Sequence, residues 1–154
     1  MNKKWFINER GVTLIEILAV IVILSVIASM AVLVIGDAIQ KARGQAFVTN
    51  AYIMRNASTV YYKNKELNHE LVGETVTYQE LVGEGFLDVI MDPDTGEQWS
   101  MDHSTSYVVF KEGKAASICL VGNRRKLCGE KQGDRYLPLP VDQISEENVK
   151  EVDS

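Results

Sequence analysis

Glu16 stands near the start of a run of apolar residues long enough to cross a membrane, and it makes the strongest chemical demand in this chain. An ionised carboxylate at membrane depth costs several kcal/mol, so it is kept only where something positive meets it. The apolar run supplies no cation of its own. The counter-charge must come from a newly made amino terminus, a neighbouring molecule or interfacial water.

Other residues with chemical potential lie far downstream. Cys119 and Cys128 flank Leu-Val-Gly-Asn-Arg-Arg-Lys-Leu, a hairpin-like stretch with Gly122-Asn123 at its bend. The spacing favours a disulfide; two reduced thiols, one buried, are the alternative. Arg124, Arg125 and Lys126 would then stand at the hairpin tip, either as a partner- or DNA-binding knuckle or as a solvated charged turn. Asp92, Asp94, Thr95 and Glu97 offer hard oxygens to calcium, without the full spacing of a calcium loop. His69 and His103 are paired with no nucleophile, and no triad, metal cluster or phosphate loop is visible. No cofactor is expected. Trp99 and Tyr107 read as core aromatics, Trp99 anchoring the turn before it.

The elements that must position these groups follow from hydropathy. From residue 17 to residue 35 only Ser25 and Ser29 are polar, which is about the length that spans a hydrocarbon core as a helix. Lys3, Lys4 and Arg10 precede it against Glu9 alone, so the start is expected in the cytoplasm and the remainder outside. Trp5 and Phe6 suit the membrane interface. The run is too long for a secretory signal core, and Ser29-Met30-Ala31 is a weak cleavage site. The 154 residues carry 16 basic and 21 acidic side chains, a net charge of −5. Loss of residues 1–11 would remove three basic groups and one acidic, giving −7. That balance opposes binding of nucleic acid over the whole surface, though not by a local basic patch.

Beyond residue 35 the helix is expected to continue to residue 62 in amphipathic form. It would present Ile39, Ala42, Ala46, Ile53, Ala57 and Val60 to the following domain, with Thr49 in the gap and Phe47, Met54 and Tyr61 widening the stripe. Gly36 and Gly44 are candidate points of bending. Residues 63–73 read as a charged loop. Thr77 caps a short helix over Thr77-Tyr78-Gln79-Glu80-Leu81-Val82, with Glu80 three residues on, and Gly83-Glu84-Gly85 ends it. Asp92-Pro93-Asp94-Thr95-Gly96 is a turn. Residues 106–110 and 115–121 make a hairpin about Lys111-Glu112-Gly113-Lys114, with residues 127–129 as a short edge strand. Residues 141–154 are acidic and read as a flexible tail or frayed helix. The fold class is α+β, one long amino-terminal helix on a small antiparallel sheet.

Gly11-Val12-Thr13-Leu14-Ile15-Glu16 resembles the type IV pilin and pseudopilin family, whose short basic leader ends in glycine before an aliphatic stretch with a glutamate. Leu81-Val82-Gly83-Glu84-Gly85-Phe86-Leu87, followed by the aspartate–proline turn at Asp92-Pro93, is similar to a second pattern in pilin-like proteins. The resemblance implies that a prepilin peptidase cuts between Gly11 and Val12 and N-methylates Val12. It implies that subunits pass from membrane lipid, through an assembly platform, into a helical filament with copies of themselves and other pilin-like subunits. Glu16 of an incoming subunit, next to Thr13, would there neutralise the Val12 amine of a neighbour. Where many members carry a proline in the apolar run this chain has Leu33, which leaves Gly36 as the nearest helix breaker.

The expected organisation is a leader over 1–11, a membrane and polymerisation helix over 12–35, an amphipathic continuation over 36–62, an outer domain over 63–140 and the tail over 141–154. The expected role is structural, not enzymatic: a pilus subunit, or alternatively a pseudopilin of a secretion or DNA-uptake machine, held in the cell membrane and, once assembled, at the cell surface or in the periplasm. A membrane-anchored binding module that never polymerises is the reading from another class.

Overall fold

The structure, a computed structural model, describes residues 9–100 and 105–152, with side chains described throughout these except at 9–12 and 31–34. Residues 1–8, with Lys3, Lys4, Trp5 and Phe6 of the expected leader, lie outside the described residues, as does His103. Contacts divide the chain into two compact units, Met1–Lys41 and Ala42–Ser154.

One helix, α1 (Glu9–Leu67, 59 residues), supplies the described part of the first unit and enters the second. It stays helical through Gly36 and Gly44. It also outlasts its expected end, because residues 63–67 are helical and not a loop. Two features hold that last turn. His69 takes a positive φ of 58°, and Glu70 N–H donates to Lys65 O at 3.0 Å while His69 N–H donates to Glu66 O at 3.1 Å. These two bonds satisfy carbonyls a helix end leaves open. Lys65 Nζ adds ion pairs to Glu70 at 2.7 Å and to Glu84 at 2.9 Å.

In the second unit the buried face of α1 is Gly44, Phe47, Ala51, Met54, Ser58 and Tyr61. This corrects the expected stripe: Ala42, Ala46, Thr49, Ile53 and Val60 are exposed and Ala57 is half-buried. Residues 46, 53, 60 and residues 47, 54, 61 form two seven-residue series one position apart. The larger side chains decide between them, since burying a Phe, Met or Tyr removes more apolar surface from water than burying an Ala, Ile or Val. Thr59 and Ser58, polar members of this stretch, return their hydroxyls to Arg55 O at 2.9 Å and Met54 O at 2.8 Å.

After a short strand, β1 (Thr75–Thr77), comes α2 (Tyr78–Gly83). Thr77 caps it with the reciprocal Glu80 contact expected of a capping box. Gly85, at φ 76°, turns the chain out of α2. Phe86 N–H then reaches Leu81 O at 2.9 Å, which closes the helix end. The main sheet runs β1, β2 (Tyr107–Lys111), β3 (Lys114–Val121), β4 (Arg125–Leu127), β8 (Lys150–Glu151), all antiparallel. Glu112 and Gly113 both have positive φ at the β2–β3 turn, the geometry that matches strand twist in a two-residue hairpin. β7 (Leu139–Pro140) pairs with the middle of β3, at Ser117 and Ile118. A separate hairpin is formed by β5 (Lys131–Gln132) and β6 (Arg135–Tyr136).

Alternation along the strands splits the side chains between two clusters. Val108, Phe110, Ile118 and Leu120 join Phe47, Met54, Tyr78 and Trp99 in the main core. Tyr107, Cys119, Val121 and Cys128 form a smaller cluster on the other face with Tyr136 and Val152.

Two strand-level expectations are corrected. The third strand is not an edge strand, because β8 pairs outside it. Residues 141–152 are not a flexible tail: 3₁₀ turns at Val141–Gln143 and Glu146–Asn148 lead into β8. Ile144 is buried, and its carbonyl accepts from Tyr52 Oη at 3.1 Å. Val141, Ile144 and Val149 pack inward between the acidic residues, which an average over the segment conceals.

Candidate functional site

Every described side chain of α1 from Thr13 to Met30 is exposed, and nearly all are apolar. Leu14, Ile15, Ile17 and Leu18 surround Glu16 in sequence, with more than half of each in contact with solvent. An exposed apolar surface of this extent marks a membrane or protein contact. The helix is long and apolar enough to cross a membrane, by length and composition.

The two hydroxyls in the run make no outward demand. Ser25 Oγ donates within hydrogen-bond distance of Ile21 O (2.7 Å) and Val22 O (2.9 Å), and Ser29 Oγ donates to Val26 O at 2.7 Å. A lipid-facing helix needs this internal satisfaction of polar groups. Glu16 therefore remains the group in the run with an unmet electrostatic need: among the described residues no cation pairs with it. Thr13 lies one turn before it.

Residues 7–32 match the family model described as the prokaryotic N-terminal methylation motif. The chain carries this methylation motif. It is the leader-and-helix signature of type IV pilins and pseudopilins, and it includes Gly11, Val12, Thr13 and Glu16. The motif, the exposed apolar helix and the small sheet that follows support a processed, pilin-like subunit anchored in a membrane. No curated protein and no solved structure matches the chain. The methylation motif accounts for the beginning of the chain, and the remaining candidate residues rest on their own geometry.

Cys119 of β3 and Cys128, the residue just after β4, are joined by a disulfide, with Cα atoms 4.5 Å apart. Adjacent pairing of Leu120 with Leu127 brings them face to face. The three basic residues between them do not form an exposed knuckle. Arg124 is exposed, but Arg125 Nε donates to Asp94 Oδ2 at 2.8 Å. Lys126 is buried, its ammonium 4.4 Å from the centre of the Tyr136 ring. Strand β4 places successive side chains on opposite faces, so the run is split up.

Asp92 and Asp94 are both engaged by protein donors. Asp92 Oδ1 accepts from Asp94 N–H at 2.9 Å and Thr95 N–H at 3.0 Å. Its Oδ2 accepts from Trp99 Nε1 at 3.0 Å and Asn123 N–H at 2.9 Å. Burial pushes this carboxyl up, and the four hydrogen bonds outweigh that and hold it below the ordinary aspartate value. Asp94 takes Arg125 and, at 3.9 Å, Arg43 of α1. Two acids written as a metal candidate thus pin the turn to β4 and to α1.

Sequence reasoning missed two surface features. One is a groove of about 640 Å³ between α1 and the segment after α2, lined by Ile53, Ala57, Val60, Phe86, Ile90 and Met91 among others. The other is the pair Leu67 and Leu71 at the end of α1, 80% and 104% exposed. An isolated leucine among Glu66, Asn68, His69 and Glu70 was the available signal for the second.

Proposed function

We propose that this protein is a structural subunit of a type IV pilus-like filament. A prepilin peptidase cleaves it between Gly11 and Val12 and methylates the new Val12 amine. The amino terminus starts on the cytoplasmic side, and the domain carrying the sheet lies outside. The observation that carries the reading is Glu16, a carboxylate with no described cation on an exposed apolar helix, at its place within the methylation motif.

Cleavage makes a cation close to where the carboxylate lacks one. In a low-dielectric filament core, Glu16 of one subunit meets the Val12 amine of the next. A buried pair of this kind adds little net stability, because desolvation offsets attraction, but stranding one partner is strongly unfavourable. It therefore sets the axial register of assembly. The same chemistry serves a pilus and a pseudopilus, and the methylation motif is common to both.

Substituting Glu16→Ala tests this. The variant is expected to insert in the membrane and be processed, yet to be lost from the sheared filament fraction. Normal incorporation of the variant would refute the role given to the carboxylate.

A further inference from the structure

The exposed seam on α1 and the exposed leucines at its end belong to one contact. Ala46, Ile53 and Val60 recur every seven residues on the outward side of the helix, and in the sequence the same step runs back through Ile39. Ile53 and Val60 are 46% and 59% exposed, although they line a groove that Phe86, Ile90 and Met91 complete. Its 640 Å³ is the size of pockets that enclose whole small molecules, enough for several aliphatic side chains. Asn50, Asn56 and Asp88 form its polar margin.

Leu67 stands one further seven-residue step beyond Val60, about 10 Å along the helix. Leu71 follows the His69 cap in full contact with solvent, so it does not fold back into the groove of its own copy. A knob and a groove of matching apolar chemistry at different places on one molecule make a head-to-tail contact. Such a contact does not close on itself, and each copy offers its knob to one neighbour and its groove to another. The seam that forms one wall of the groove continues, residue by residue in the sequence, toward the apolar run through which copies associate in the filament reading. That continuity selects a second copy as the occupant.

We infer that Leu67 and Leu71 of one subunit seat in the Ile53–Val60–Phe86–Met91 groove of another, giving the outer domains a contact separate from the Glu16 pairing. This rests on the filament reading. Ile53 and Leu71 are exposed, so substitutions at these two positions leave the core intact.

The test uses the full chain in its host, carrying Leu71→Cys and Ile53→Cys together, with sheared filaments examined on non-reducing gels after mild oxidation. The native cysteines are buried in their own bridge and do not compete. A ladder of dimers, trimers and larger species is expected from the double variant, and loss of the ladder from each single variant. Intact filaments without a ladder would overturn this contact while leaving the filament reading in place. Dimers from Leu71→Cys alone would show a symmetric contact and overturn it as well. A chain that keeps its leader and yields no filaments would remove both.

Discussion

Trp99 Nε1 donates to Asp92 Oδ2 across 3.0 Å, with both residues buried. The bond joins the Asp92–Gly96 turn to the core, since the Trp99 ring lies against Phe47 of α1 at 6.0 Å and Tyr78 of α2 at 5.8 Å. The same carboxylate takes Asn123 N–H, which fixes the turn between β3 and β4. One acid thus connects the turn, both helices and the disulfide-bearing strands.

Asp92→Asn should therefore be costly. Whichever way the amide is placed, its NH₂ meets two N–H donors, and the two charge-assisted bonds it replaces become repulsive. A loss of about 3 kcal/mol is expected, from the cost of unsatisfied buried donors facing a lost charge. Thermal unfolding of the detergent-solubilised chain measures it.

The pH dependence has a definite sign. The Asp92 carboxyl is held below its ordinary value by the folded state. Its contribution is complete above that ordinary value and is lost as pH falls through the lower, folded one. The gap in melting temperature between the natural chain and Asp92→Asn should be widest near neutrality and shrink below the usual aspartate range. A gap independent of pH would contradict the assignment.

Gly122 sits where these groups converge. A Cβ there would lie 2.8 Å from the Phe47 ring, 2.9 Å from Asp92 Oδ2 and 3.0 Å from the Trp99 ring. None of these neighbours is a flexible chain end. Gly122→Ala should cost about 2 kcal/mol through overpacking, seen as a lowered unfolding midpoint. An unchanged midpoint would show that the three residues yield without strain.

The Cys119–Cys128 bridge closes a short loop, with a sequence separation of 9. Chain-entropy reasoning gives about 2.5 kcal/mol for a loop of that size. The paired Cys119→Ser, Cys128→Ser variant should unfold earlier by that amount. Its leader cleavage should be normal, because the methylation motif ends long before the bridge.

Much of this architecture was legible in the residues. The apolar run, the Thr77–Glu80 cap, the Asp92–Gly96 turn and the β2–β3 hairpin all have local signals whose physics acts over a few residues. The face of α1 was not legible, because two apolar series run side by side. Only the packed volume of Phe47, Met54 and Tyr61 against the sheet chooses between them. The pairing of Arg125 with Asp94 was hidden for a related reason, since 31 residues separate the partners. The 141–152 segment misled through its average charge, its fold depending on three apolar residues set among acids. β1 is three residues long and too short to signal itself, since its order comes from pairing with β2, burial of Val76 in the core and the Thr77 cap of α2.

The mass of the mature protein bears most directly on what this molecule is for. Intact-mass and amino-terminal peptide analysis of the membrane form should find a chain beginning at Val12, heavier by one methyl group on its amine. A chain that still begins with Met1 would mean that the cation required by Glu16 is never made, and the filament account would fail.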